Sequence, residues 1–341
     1  MKVLFYWLTM GPYHLARMKA LQKIPGLELH VWEAAGKDDH YWELDYNGLH
    51  NHKTFMPGRV LNEKTVGEAA GIFLKELKSH DFDIVVNGAG YFHLAMIFPV
   101  LRLRRANTKV LLWTESTYRD QQRNHFKERI KSLVLKLYDG VLAAGQRHLD
   151  YLKKLRYPQR KIKVVGNVVD NSFYRPPDNG REARDGILYV GRLLRVKNIG
   201  LLLRAYSQYR ETMLARKETP EPLYLIGDGP QRSELERLVA REHIEGVHFT
   251  GTLSPGVLLR YYHSCSMLVL PSTSEPWGLV VNEAMASGLP VVVSENCGCV
   301  PELLIDGGNG FIINPYSKQQ LTEKLIDLSR NKEKRTKMGN E

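Results

Sequence analysis

The chain has 341 residues, 43% of them hydrophobic and 25% charged, a globular composition that excludes a disordered chain and has room for two domains. Its formal net charge of +11 lies entirely in residues 1–176, where 28 Lys and Arg stand against 17 Asp and Glu; residues 177–341 carry 20 of each. No apolar stretch approaches the roughly eighteen residues needed to span a bilayer, and three cysteines, Cys265, Cys297 and Cys299, are too few for a disulfide framework or a structural zinc site.

The chain opens on "KVLFYWL", a strand without the small-residue cleavage pattern of a secreted protein, so a cytoplasmic location is expected. "TMGPYHLARMKALQK" follows, its Gly-Pro opening a helix, and "LELHVWE" closes a strand, helix, strand unit. The alternation runs on through "DIVVNGAG", the helical "YFHLAMIFPVLRLRR", "KVLLWTES", a helix over 119–138, "GVLAAG", the helix "QRHLDYLKKL" and "KIKVVGN". Such alternation predicts a parallel, doubly wound sheet for residues 1–172. "TMGPYH" lacks the G-x-G-x-x-G spacing and "GAG" at 88–90 is too short, so dinucleotide binding has no support. "DFD" at 81–83 precedes a strand where a metal-binding Asp-x-Asp would follow one, and no His or carboxylate cluster has metal-ligand spacing. His93 sits just inside a helix that follows a strand, a place compatible with a structural histidine or with a polar site residue. The stretch 119–138 reads as a basic amphipathic helix, with Arg123, Lys127 and Lys131 among its cations. Its polar face is either plain solvated surface or a contact for anionic lipid or another acidic partner.

Over 173–186 the apolar periodicity lapses and Pro, Asn, Gly and charge mark a linker. A second series then predicts strands at "ILYVG", "PLYLIGDG", "VHFTG", "SMLVLPS" and "PVVVSE", with helices near 198–214, 230–241, 256–263 and 278–287. Two tandem Rossmann-like domains, 1–172 and 187–341, are expected to face each other across a cleft. "GRLLRVKN" puts Arg192 and Lys197 at a strand's carboxyl edge, as a pair suited to a diphosphate or as two solvated residues. "GDGP" brings Gly229 and Pro230 to the next strand end, where the glycines admit a close ligand or simply form a tight turn. "SEPWGLVVNEAMASGLPVVVSENCG" has apolar residues at 279, 280, 281, 284 and 285, Gly278 before them, and Gly288 and Pro290 after, which predicts a helix between two strands. Glu275 then lies on a loop at a strand's carboxyl end and Glu283 lies inside the helix, and the free amides of 278–280 suit an anion. Two solvated glutamates are the other reading.

Together these stretches resemble the retaining, nucleotide-sugar-dependent glycosyltransferases of the GT-B fold, family 4. The resemblance covers the second domain through "GRLLRVKN", "LIGDGP", "VHFTG", "EPWGLVVNEAMASGLPVVVSENCGCVPELL" and "NGFIINP", and includes "VVGNVVDNSFYRP", similar to the family's Asn-x-Val-Asp-x-x-x-Phe segment. The first domain matches in topology, in Gly11 and in His93. The resemblance implies transfer of a hexose-type sugar from a UDP- or GDP-sugar to a glycan, lipid-linked or small-molecule acceptor, with retention and with neither metal nor further cofactor. Glu275 would face the donor hexose and Glu283 the ribose, while Gly278, Leu279 and Val280 offer amides to sugar and diphosphate. Arg192 and Lys197 would stabilise the leaving diphosphate, the job a metal does elsewhere. Gly229 and Pro230 would touch the donor, Thr252 and Leu253 would border the base, Gly11 would close on the phosphates, and His93 would lie near the transferred sugar.

Two departures stand out. The first loop has "MGP" where the family has two adjacent glycines, and the chain ends in "EKRTKMGNE", which looks like the start of the family's crossover helix and implies truncation. The basic first domain, as the acceptor side of this fold, implies a peripheral enzyme on the inner membrane face. Two alternatives share some of the features: a nucleotide-sugar epimerase of the same fold and, from charge alone, a nucleic-acid-binding protein. The second lacks a stacking platform and a binding motif, so no nucleic-acid partner is expected.

Overall fold

A computed structural model describes residues 1–37, 44–60, 62–90, 94–120, 123–176 and 184–341, with the backbone alone for 63, 64 and 94–96. The chain forms two compact units, Met1–Asn167 and Val168–Glu341.

The first unit contains β1 (Lys2–Trp7), α1 (Pro12–Leu21), β2 (Glu28–Lys37), β3 (His52–Val60), α2 (Glu63–Glu76), β4 (Ile84–Asn87), α3 (Leu94–Arg105), β5 (Lys109–Thr114), α4 (His125–Leu135), β6 (Gly140–Ala143), α5 (Gln146–Lys154) and β7 (Ile162–Val164). Among the described residues its seven strands are parallel, in the order β3-β2-β1-β4-β5-β6-β7. Five of the six residues of β1 are buried, as a strand covered on both faces requires. Leu15 and Met18 of α1 join the core on one face, and Phe73, Val100, Leu135 and Leu152 of α2 to α5 join the core on the other.

Two elements escape the sequence pattern. Strand β3 contains Pro57 and Gly58, which argue against a strand, yet it lies at the sheet edge, where a missing N–H costs no ladder bond. Helix α2 carries Gly67 and Gly71, and what holds it is its buried face together with the Asn62 cap, which accepts from the Thr65 N–H at 3.0 Å. The helix expected over 119–138 is corrected to His125–Leu135, because the Asn124 side chain caps the amides of Phe126 and Lys127 at 2.9 and 3.3 Å and sets the start there.

The second unit contains α6 (Asn171–Tyr174), β8 (Ile187–Val190), α7 (Ile199–Ala215), β9 (Leu223–Ile226), α8 (Arg232–Arg241), β10 (Val247–Gly251), α9 (Pro255–Ser264), β11 (Met267–Leu270), α10 (Leu279–Ala286), β12 (Val291–Ser294), α11 (Val300–Leu303), β13 (Gly310–Ile313), α12 (Lys318–Arg330) and α13 (Lys332–Met338). Six parallel strands run in the order β10-β9-β8-β11-β12-β13. The short α6 belongs to this unit, since the Tyr174 carbonyl accepts the Ser287 hydroxyl at 2.9 Å and the Tyr174 ring packs on Tyr262 at 5.9 Å. At the other end of the chain, α13 is pinned by Arg335, whose guanidinium donates to Glu221 Oε1 at 2.7 Å with both side chains nearly buried. The three cysteines are buried, and none is joined in a disulfide.

Candidate functional site

The second unit gathers most of the candidate residues at one sheet edge, because all six strands are parallel and their carboxyl ends point the same way. The loops after β8, β9, β10 and β11 carry, in turn, Arg192 with Lys197, Gly229 with Pro230, Thr252 with Leu253, and Glu275 with Gly278. These strands are neighbours in the sheet.

Backbone hydrogen bonds lace the loops together. The Leu193 N–H donates to the Asp228 carbonyl at 2.9 Å, the Gln231 N–H to the Leu193 carbonyl at 3.0 Å, and the Gly227 N–H to the Gly251 carbonyl at 2.9 Å. On the other side the Thr273 N–H reaches the Val196 carbonyl at 2.8 Å, which joins the β8 and β11 loops. Asn198, in the left-handed region at φ 58°, donates its side-chain amide to the Pro271 carbonyl at 3.2 Å and the Pro315 carbonyl at 2.6 Å.

On this frame the Lys197 ammonium meets the Glu275 carboxylate as an ion pair, with side chains only 17% and 11% exposed. Arg192 lies exposed on the same loop, and its carbonyl accepts the Tyr189 hydroxyl at 3.0 Å. Burial, with Glu275 and Cys297 adding to it, pushes the Tyr189 hydroxyl well above the ordinary tyrosine range, so it stays a donor. Beyond Glu275 the loop turns at Gly278, the N-cap of α10, whose φ of 96° favours glycine. The amides of Gly278, Leu279 and Val280 belong to this helix start, where backbone donors outnumber intrahelical acceptors. Glu283 is enclosed one turn further on, 1% exposed, and its Oε2 accepts the Tyr262 hydroxyl from α9.

Several residues that hold this site escaped the sequence reading. The Gly298 N–H donates to the Glu275 carbonyl at 2.9 Å and the Cys299 N–H to the Trp277 carbonyl at 3.1 Å, so the "CGC" segment is the floor of the Glu275 loop. A Cβ on Gly298 would sit 1.7 Å from the Pro276 carbonyl oxygen. Tyr189, Tyr262 and Asn198 are likewise supports, and their only sequence signal is a polar tip within an apolar segment.

In the first unit Gly11 is the N-cap of α1, at the carboxyl end of β1, and its N–H donates to His14 Nδ1 at 3.0 Å. Burial, with Arg17 adding to it, lowers the His14 imidazole to about 4, which keeps Nδ1 free to accept. The buried Glu33 anchors the same loop by accepting the Met10 N–H at 3.1 Å and the hydroxyls of Tyr46 and Thr54, both at 2.8 Å. His93 lies outside the described residues. Among the described residues no three His, Cys, Asp or Glu side chains come together in a group able to hold a metal ion, and no helix is long and apolar enough to cross a membrane.

The solved structures that resemble this fold include the Anabaena protein HepE in complex with UDP, with a TM-score of 0.75 and 19% identity, covering 99% of this chain and 93% of that one. Sucrose-phosphate synthase from Thermosynechococcus elongatus gives a TM-score of 0.76 at 19% identity, covering 99% and 92%. Both are likenesses of fold, and they place the two sheets in the GT-B class. Among characterised sequences, the sulfoquinovosyl transferase SQD2 of Arabidopsis thaliana is 35% identical over 164 residues, 47% of this chain and 30% of that protein. The D-inositol 3-phosphate glycosyltransferase of Acidothermus cellulolyticus is 31% identical over 170 residues, 46% of this chain and 38% of its own length. The chain thus matches well under half the length of these relatives. The profile of Glycosyl transferases group 1 matches residues 170–341, which hold the laced loops, the Lys197–Glu275 pair and Glu283, and the chain belongs to that family.

Proposed function

We propose that the chain transfers a hexose-type sugar from a nucleoside diphosphate, UDP or GDP, to an acceptor with retention at the anomeric carbon, as a metal-independent member of family 4. The observation that carries this reading is the Lys197–Glu275 ion pair, held at the carboxyl edge of a parallel sheet beside Arg192 and the α10 amides. In transfer, the bond from the anomeric carbon to the diphosphate oxygen breaks, the acceptor oxygen takes its place, and the acceptor hydroxyl passes its proton to the departing diphosphate oxygen. Negative charge then grows on the diphosphate, and Arg192, Lys197 and the amides of 278–280 stabilise it in preorganised positions. Glu275 orients Lys197 and takes the sugar hydroxyls. Glu283, positioned by Tyr262, takes the ribose, while Thr252 and Leu253 border the base and Gly229 and Pro230 the donor. The acceptor is a glycan, lipid-linked or small molecule, met in the cytoplasm. The HepE structure in complex with UDP supports a nucleotide donor for this fold.

Thermal-shift titration with UDP, GDP and their sugars tests the reading, because a ligand selective for the folded state raises the melting temperature by mass action. One nucleoside diphosphate is expected to stabilise the protein and its sugar to yield a product whose anomeric configuration matches the donor by NMR. No stabilisation by any of them, or an inverted product, overturns it.

A further inference from the structure

We propose that the outward faces of α3 and α4 form a docking surface for an anionic lipid bilayer. The two helices are successive crossovers between β4, β5 and β6, which lie side by side in the first sheet, and Val100, Leu103, Val134 and Leu135 bury their inner faces in one core. The Arg104 guanidinium donates to the Leu137 carbonyl at 2.7 Å and ties the end of α3 to the turn after α4. The helices are therefore neighbours on one surface.

On α4 the outward stripe, spaced three, four and three, is Phe126, Arg129, Leu133 and Lys136, with Phe126 72% and Leu133 62% exposed. On α3 the matching stripe is Phe98, Leu101, Arg102 and Arg105, with Phe98 69% exposed. Neither helix presents a carboxylate: α3 has none in its sequence, and Glu128 of α4 turns inward to accept the Tyr151 hydroxyl at 2.8 Å and the Lys131 ammonium at 3.1 Å. Single exposed apolar side chains are ordinary on a surface, but four on neighbouring helices among cations alone are a patch. Its chemistry is that of interfacial helices, apolar anchors for the acyl boundary with Lys and Arg for anionic headgroups. A second copy of the chain fits poorly, since a two-fold contact through this face would set cation against cation.

The surface differs from the basic face expected over 119–138. Arg123 points to the Tyr151 hydroxyl at 2.9 Å, and Lys131 to Glu128 and Tyr151, so both are taken up inside the fold. The working cations are Arg129 and Lys136 at α4 with Arg102 and Arg105 of α3.

Because the face uses no residue assigned to the donor, the inference stands or falls apart from the transfer reading. Co-sedimentation of the full chain with phosphatidylcholine vesicles, with and without phosphatidylglycerol, tests it at low and high salt. Binding is expected with phosphatidylglycerol at low salt, weakened by high salt and by either of two variants, each by about tenfold or more. One variant is Phe126→Ala with Leu133→Ala, the other Arg129→Glu with Lys136→Glu and Arg102→Glu, and Lys217→Glu in the second unit is the control expected to bind like the wild type. Unchanged circular dichroism and an unchanged shift with nucleoside diphosphate show that the variants are folded and that the donor site is intact. No binding at low salt, equal binding to neutral vesicles, or binding that ignores both variants overturns the proposal.

Discussion

Lys197 and Glu275 lie 78 residues apart in sequence and form one ion pair at the carboxyl edge of the second sheet, each on a loop that the other's loop hydrogen-bonds. Neither charge is well solvated, so each depends on the other for compensation. Lys197→Ala is expected to lower turnover by roughly a hundredfold or more, the scale of losing one preorganised transition-state donor. Combined with Glu275→Gln, the losses should fall short of additivity by roughly 0.5–3 kcal/mol, because the two residues act as a unit. Steady-state kinetics of the four proteins check this, and an unchanged rate in a folded Lys197→Ala protein removes the lysine from the site.

The two glutamates are expected to separate binding from transfer. Glu283→Gln keeps its shape but weakens a charge-assisted hydrogen bond, so nucleoside diphosphate affinity should drop by about 1–2 kcal/mol. Tyr262→Phe, which frees the Glu283 carboxylate from its support, should lower the same affinity by less, and Glu275→Gln should leave it nearly intact while reducing transfer. Calorimetric titration measures the affinities; equal loss in the Glu283 and Glu275 variants contradicts the division of roles.

If Arg192 and Lys197 neutralise the leaving diphosphate as proposed, activity should survive EDTA. Rates with and without chelator, and with magnesium or manganese restored, make the comparison. Full loss in EDTA with recovery on adding metal argues against these residues as the charge neutralisers.

Gly298→Ala forces the Pro276 carbonyl away from a position 1.7 Å from the new Cβ, and with it the Glu275 loop. Overpacking of this kind costs roughly 1–3 kcal/mol, so the melting temperature should fall along with turnover. A variant with wild-type activity and stability shows that the loop holds Glu275 without this floor.

His14 gives the first unit a pH dependence. Its folded-state imidazole is lowered to about 4 from an ordinary 6.5, so between those values the unfolded chain binds the extra proton and stability falls as the solution becomes more acidic. The slope approaches about 1.4 kcal/mol per pH unit in that window. Calorimetric unfolding from pH 6.5 down to 4.5 should show the loss in the wild type and a smaller one in His14→Gln, whose amide oxygen can still accept from Gly11.

Alternation of apolar runs with helical periods was enough to read two parallel α/β units, because strands covered on both faces are near-continuous in Val, Ile and Leu and their crossovers are amphipathic. The same reading brought Arg192, Lys197, Glu275 and Glu283 to strand ends or the helix after them, since a loop that follows a parallel strand always opens at the carboxyl edge. Composition likewise put the whole positive excess in residues 1–176. Other features depended on neighbours distant in sequence. Strand β3 exists despite Pro57 because it is an edge, and edge position is a property of the sheet. Which cations of 119–138 face outward depended on the Asn124 cap that starts α4 and on Tyr151 of α5, which takes up Arg123, Lys131 and Glu128. Sequence determined most of the elements, the charge and the loops that hold the candidate residues, since these follow from local periodicity and residue type. Tertiary structure alone decided that Lys197 meets Glu275, that Tyr262 reaches Glu283, and that Gly298 underlies the site, because packing and hydrogen bonds between distant segments have no local signature.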